Sequence, residues 1–318
     1  MTRLWITRPL PDKVVEAARE VCGDVVIRSE TRPLTDAELR TALSDYDIVL
    51  PTLGDAFSAQ VFADVEKPRC RLLANFGVGY NHIDTGAAAG AGIAVTNTPG
   101  AVTDATADIA VMLMLMSARR AGQGERLVRS GAWPGWHPTQ MLGLHMSGKK
   151  VGIVGMGRIG QAIARRCHFG FGMAVHYVSR SEKKLDFAAT RAADLIALAG
   201  QVDFLVAAVP GGADTRHLIG SEVLNAMGTQ AHLINISRGD VVDEAALIAA
   251  LGAGQIGGAG LDVYEREPTV PEALRALNNA TLLPHLGTAA LEVRLDMGMM
   301  AVNNVRAFCA GKPLPNPV

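Results

Sequence analysis

Short apolar runs separated by longer amphipathic stretches recur along the 318 residues. In the first hundred, strand-like runs fall at Leu4–Thr7, Val25–Arg28, Ile48–Leu50, Leu72–Ala74 and Ile93–Thr96. Pro11–Val21, Asp36–Leu43 and Ala59–Asp64 lie between them and carry apolar residues at helical spacing. The second half repeats the theme with runs at Val151–Val154, Ala174–Val178, Phe204–Val209, Ala231–Ile236, Gly258–Val263 and Thr281–Leu283. Runs this apolar read as strands covered on both faces, and their alternation with helices predicts parallel α/β sheets. Asn97-Thr98-Pro99-Gly100 punctuates a change of domain. A helical segment from Ala289 to Cys309 follows the last strand, with Gly311, Pro313, Pro315 and Pro317 trailing it. The most apolar stretch, Ile109–Met116, reads as a helix buried on most sides at a domain or subunit contact, its methionines filling core. It is far shorter than the roughly 20 residues that span a bilayer.

One junction between run and helix carries a ligand signature. Val151-Gly152-Ile153-Val154 leads into Gly155-Met156-Gly157-Arg158-Ile159-Gly160, and apolar residues then recur at helical spacing through Cys167. In a strand–turn–helix context the three glycines have separate tasks. Gly155 permits the tight turn, Gly157 lets backbone approach a pyrophosphate, and Gly160 lets the helix pack close to the strand. Free N–H groups at the helix start favour the phosphates. The next strand, Met173–Val178, ends in Ser179-Arg180-Ser181 with Lys183 and Lys184 beyond, and not in the carboxylate that would bond the ribose 2′-hydroxyl of NAD. A hydroxyl and a guanidinium suit a 2′-phosphate, so NADP(H) is the expected carrier, with NAD(H) as the alternative.

Bulk properties narrow the class. Thirty basic and 31 acidic side chains are interspersed, which argues against a nucleic-acid footprint. Cys22, Cys70, Cys167 and Cys309 are scattered without ligand spacing, which fits a reducing cytoplasm and speaks against zinc or a disulfide framework. The segment Met1–Thr7 runs directly into a strand and lacks the apolar core of a secretory signal, so neither membrane nor export is expected.

Three later residues supply matched chemistry. Adding hydride to the carbonyl of a 2-oxo acid builds negative charge on its oxygen, which a positioned acid must protonate. A cation should hold the substrate carboxylate and polarise the carbonyl. His285 follows Pro284 at a strand end and is the candidate acid; Arg238, in Asn235-Ile236-Ser237-Arg238-Gly239, is the candidate cation. A carboxylate bonded to the imidazole would favour its charged form and fix its tautomer. Glu265 and Glu267, in Val263-Tyr264-Glu265-Arg266-Glu267-Pro268, both qualify on spacing. All three groups follow expected strands, where ligands of open α/β sheets bind. His137 and His145, in an aromatic and glycine-rich loop, are additional rings able to reach a substrate, whereas His82, His168, His176, His217 and His232 read as packing or surface residues.

Taken in order, these motifs resemble the D-isomer-specific 2-hydroxyacid dehydrogenases over nearly the whole chain. The matching segments are Asn75–Asp84, Asn97–Gly100, Thr103–Asp108, the glycine run, Asn235–Gly239, Gly260–Glu265 and Pro284–Gly287. Within the family the chain is most similar to NADPH-dependent glyoxylate/hydroxypyruvate reductases, through Pro51-Thr52-Leu53-Gly54, Trp133–Pro138 and Ser179-Arg180. The resemblance implies two doubly wound parallel-sheet domains. A Rossmann cofactor domain (100–286) would be inserted into a flavodoxin-like substrate domain (1–99 and 287–318). It implies Arg238, Glu267 and His285 as catalytic residues, choosing Glu267 over Glu265. Val78 and Gly79 would bind the substrate carboxylate through backbone N–H groups, and Leu53 would line the pocket. Thr106, Met156, Arg158, Ile159, Val209, Pro210, Thr215, Ile236, Ser237 and Gly287 would line the cofactor site with the glycines, Ser179, Arg180 and Lys183. Arg238 and His285 would border the nicotinamide, whose amide Asp262 would bond. Trp136 would reach the partner's active site across a homodimer.

Phe76 and Tyr80 replace smaller or more polar residues common in the family, and Leu286 and Thr288 replace a common Ile and Ser. The chain lacks the long C-terminal extension of many phosphoglycerate dehydrogenases, and Glu267 stands where related formate dehydrogenases carry Gln. The expected activity is reduction of glyoxylate and hydroxypyruvate to glycolate and D-glycerate. Reduction of larger acids such as 2-ketogluconate, or nucleotide sensing by a corepressor-like binding protein, are the alternatives.

Overall fold

A computed structural model describes residues 2–318. The chain divides into two compact units, Met1–Val102 with Thr288–Val318, and Thr103–Gly287. Each is built on a single sheet in which every strand pairing is parallel.

The first unit holds β1 (Arg3–Ile6), β2 (Asp24–Ile27), β3 (Ile48–Leu50), β4 (Leu72–Ala74) and β5 (Ala94–Thr96), in the order β2-β1-β3-β4-β5. That is the flavodoxin-like order. β3 and β4 are wholly buried, as their unbroken apolar sequences require. The helix Leu291–Cys309 returns to this unit and packs on the helix Asp12–Val21 and on β4.

The second unit holds β6 (Lys150–Val154), β7 (Ala174–Val178), β8 (Ala189–Arg191), β9 (Phe204–Ala207), β10 (His232–Asn235), β11 (Gly258–Leu261) and β12 (Ala280–Leu282). Their order, β12-β11-β10-β9-β6-β7-β8, is the Rossmann arrangement with one strand added, and the order reverses between β6 and β9. Val151 of β6 lies opposite Val175 on one side and Phe204 on the other. The long helix Thr103–Ala118 buries Ala107, Ala110, Leu113 and Met114 against one face of this sheet. No helix among the described residues is long and apolar enough to cross a membrane.

Two of the elements that the sequence analysis does not name have a clear local cause. β8 is three residues, Ala-Thr-Arg, with no apolar run, and exists because β7 offers it an edge. The helix Thr85–Gly90 is set by its cap, Asp84 accepting from Ala87 N at 2.9 Å, and not by apolar periodicity.

The long helix is also pinned by a polar contact. Oγ of Ser117 lies 2.7 Å from Nδ1 of His232, whose ring stacks on Phe204. Burial drives the His232 pKa down to about 4. The unfolded chain therefore takes up this proton first, so the neutral ring stabilises the fold fully above about pH 6.5 and the contribution is lost as pH falls towards 4. The full effect is about 3 kcal/mol. Urea midpoints measured from pH 7.5 to 4.5 are expected to fall less steeply in His232→Gln than in the parent.

Candidate active site

The glycine run adopts a strand–turn–helix geometry. Gly155 leaves β6 at φ +98°, and a Cβ there would sit 2.7 Å from the Ala208 carbonyl oxygen and from Val209. Gly160 is packed closer still, where a Cβ would meet Gly155 O at 2.1 Å. Gly157 is the opposite case: nothing lies within 4 Å of its Cβ position, and Arg158 beside it starts the helix Arg158–Arg165. An open backbone surface next to a helix start is what a pyrophosphate needs. Met156 is buried in the core, so only its backbone faces outward chemistry. Ile159 is partly buried against the same core.

Beyond β7, Ser179 Oγ donates to Ser181 O and Lys183 Nζ donates to Ser181 Oγ, at 2.6 and 2.9 Å. Lys183 N also donates to Tyr177 Oη at 3.2 Å, which anchors this loop to its strand. Arg180 is exposed. Val209 and Pro210 leave β9, and Thr215 Oγ1 closes their loop by donating to Pro210 O at 2.7 Å.

A second cluster follows β10, β11 and β12. Asn235 Oδ1 accepts from Ser237 N and Oγ, while its Nδ2 donates to Arg238 O at 2.9 Å, fixing the turn Asn235–Arg238; Ile236 and Ser237 are buried. Gly239 then passes directly over the next strand's loop: a Cβ would lie 1.8 Å from Tyr264 C. In that loop Glu267 Oε1 accepts from Tyr264 N at 3.0 Å, and Glu267 Oε2 lies 2.8 Å from Nδ1 of His285. Nε2 of His285 is left for other partners.

Burial alone would push the Glu267 carboxyl up. The His285 bond and charge, the Tyr264 N–H and the Arg238 charge outweigh it and hold the pKa below its ordinary value. Burial draws the Arg238 guanidinium down from its usual range, against the nearby carboxylates of Glu267 and Asp240. Glu267 is thus an ionised partner for the ring. Glu265, the other carboxylate that spacing allowed, is taken by His217 at 2.8 Å and lies 3.6 Å from Arg216. His217, read from sequence as packing or surface, makes this contact with Glu265. His137 bonds Thr139 within its own exposed loop, and Trp136 there is 79% exposed.

Asp262 is buried, and its two oxygens accept from Leu286 N (2.6 Å) and Gly287 N (2.7 Å), so it holds the backbone just after His285. Burial raises its carboxyl pKa in spite of these bonds. Thr106 Oγ1 donates to Gly287 O at 3.3 Å, which joins the long helix to the same turn. Each Asp262 oxygen retains a second lone pair for an amide donor.

In the first unit two loops run side by side where β3 and β4 end. Phe76 N donates to Pro51 O, and Thr52 bridges Phe76, so the loop carrying Leu53 runs beside the loop Gly77–Tyr80. Buried Asp55 anchors the first loop by accepting from Thr52 N, Thr7 Oγ1 and Leu34 N. Buried Asn75 anchors the second: its Nδ2 donates to both Gly77 O and Gly79 O at 3.0 Å, and its Oδ1 lies 3.1 Å from His82 Nε2. Thr98 N also donates to Gly77 O, and Asn97 Nδ2 donates to Val78 O. With all three carbonyls drawn to one side, planar trans peptides turn the N–H groups of Val78, Gly79 and Tyr80 to the other. None of the three donates to a protein acceptor among the described residues. Successive free N–H groups of this kind bind anions. Asn97 and Thr98, which punctuate the change of domain in the sequence, thus also order this loop. The usable signal for Asn75 was an Asn at a strand end two residues before a glycine, since its amide reaches backbone two residues on.

The chain is similar to known proteins over nearly its whole length. The model of the D-isomer specific 2-hydroxyacid dehydrogenase NAD-binding domain matches residues 111–287. The chain is 42% identical to glyoxylate reductase of Thermococcus kodakarensis, over 99% of this chain and 96% of that one. It is 41% identical to glyoxylate reductase of Pyrococcus furiosus, over 99% and 95%. A solved NADPH-dependent glyoxylate/hydroxypyruvate reductase of Sinorhizobium meliloti, in complex with NADP and malonate, superposes with a TM-score of 0.87 at 36% identity, covering 100% of this chain and 96% of that one. The protein is an oxidoreductase. It belongs to the D-isomer specific 2-hydroxyacid dehydrogenase family, and its second unit is the family's NAD-binding domain.

Replacing Asn75 by Ala releases two carbonyls of the anion loop. Affinity for a small carboxylate such as oxalate, read by titration calorimetry, is expected to drop about tenfold.

Proposed function

We propose that this protein reduces small 2-keto acids, glyoxylate and hydroxypyruvate, to 2-hydroxy acids with NADPH as hydride source. The observation that carries the reading is the 2.8 Å contact between His285 Nδ1 and an ionised Glu267. It leaves Nε2 to give a proton to a carbonyl oxygen, and the guanidinium of Arg238 offers charge to the same developing alkoxide. The substrate carboxylate takes the free N–H groups of Val78 and Gly79, with Leu53 lining that end. The relatives, glyoxylate reductases and a glyoxylate/hydroxypyruvate reductase, support the same substrate class.

The bound dinucleotide supplies the hydride. The open backbone at Gly157, the helix start at Arg158, and the turn held by Thr106, Asp262 and Gly287 are the surfaces that fit it. Arg180, exposed and without an adjoining carboxylate partner among the described residues, supports a 2′-phosphate and hence NADPH over NADH. Trp136 and Trp133, 79% and 49% exposed, support a homodimer in which this loop is covered by the second subunit. The family's small-molecule chemistry and the cysteines, none of them in a disulfide, support a cytoplasmic enzyme.

Two measurements test this reading. His285→Ala is expected to lower kcat by about 10²–10⁴ fold; near-normal turnover removes the ring from the chemistry. Arg180→Ala is expected to lower kcat/KM for NADPH by about tenfold or more while NADH kinetics change little; a parent enzyme that prefers NADH overturns the cofactor assignment.

A further inference from the structure

Arg294 is a cation without an anion. It lies in the second turn of the helix Leu291–Cys309, which packs on β4, and its guanidinium carbon sits 5.8 Å from the ring centroid of Phe76. The other partly buried arginines of this unit have carboxylates: Arg8 pairs with Asp55, and Arg28 with Glu30 and Glu38. The Arg294 guanidinium makes no ion pair and no hydrogen bond among the described residues, and the ring face of Phe76 is its partner. Arg294 is partly buried, and burial draws its pKa down from the usual range. Phe76 immediately precedes the loop whose N–H groups at Val78, Gly79 and Tyr80 are free. A guanidinium held over an aromatic ring beside an anion-binding loop is oriented before any ligand arrives.

We propose that Arg294 is a specificity-determining residue that recognises the far end of the substrate, selecting short 2-keto acids with an anionic or hydrogen-bond-accepting group at C3 or C4. The proposal rests on the reductase reading above and deepens it. With the first carboxylate on the Val78–Gly79 amides, a longer substrate with an apolar far end, such as pyruvate, leaves the guanidinium uncompensated. A substrate with a second carboxylate or a hydroxyl completes it, and charge-assisted bonds of this kind discriminate strongly. The aromatic side chain of Phe76, larger than is common at this position in the family, serves as the platform that holds the cation.

The test uses length-matched pairs: hydroxypyruvate against pyruvate, and oxaloacetate against 2-oxobutyrate. The parent enzyme with NADPH is expected to favour the first member of each pair. Arg294→Met is expected to reduce the kcat/KM ratio within a pair by about 10-fold for the hydroxyl and up to about 100-fold for the carboxylate. Arg294→Lys should restore part of the carboxylate ratio. A parent without preference, or ratios unchanged in Arg294→Met, overturns the proposal even if overall activity falls. Calorimetric binding of malonate against propionate gives a readout independent of turnover. A tenfold loss of malonate selectivity in Arg294→Met supports the assignment, and equal selectivity overturns it. Absence of turnover with all four acids, together with intact malonate selectivity, would fault the reductase reading and not the role of Arg294.

Discussion

The carboxylate of Glu267 is withdrawn from water and yet ionised, because the Tyr264 N–H, the His285 ring and the Arg238 charge each favour its anionic form. The site in the second unit follows from that balance. An ionised Glu267 fixes which ring nitrogen of His285 faces it and keeps the other directed outward. It also provides the negative charge beside which a half-buried guanidinium is tolerated. Three strands of one sheet deliver the three groups, each in the first residues after the strand ends.

The two units leave backbone N–H groups open by different means. In the second, a helix starts at Arg158 and Gly157 leaves the approach to its N–H groups clear. In the first, no helix start serves. Asn75, Asn97 and Thr98 seize three consecutive carbonyls instead, and the peptide planes do the rest. Both arrangements lie at the carboxyl ends of parallel strands, where side chains of neighbouring strands splay and leave room.

Sequence patterns carried much of this. The strands were readable because a strand covered on both faces must be nearly all apolar, and the glycine run because its three positions have distinct steric demands. Arg238, Glu267 and His285 stood out by following such strands. What stayed hidden depends on partners distant in sequence. Spacing could not separate Glu265 from Glu267, since the distinction lies in His217 claiming the former. β8 has no pattern of its own and borrows its conformation from β7. The service of Asn75 to the anion loop is a matter of where one amide points, and that is settled only once β4 is in place.

Gly239 has a consequence for how this enzyme can change. Even a methyl group there would overlap the Tyr264 carbonyl carbon at 1.8 Å, so the loop bearing the guanidinium and the loop bearing the carboxylate are packed backbone against backbone. Any side chain placed at this position therefore displaces both loops at once, the one that carries Arg238 and the one that carries Glu267.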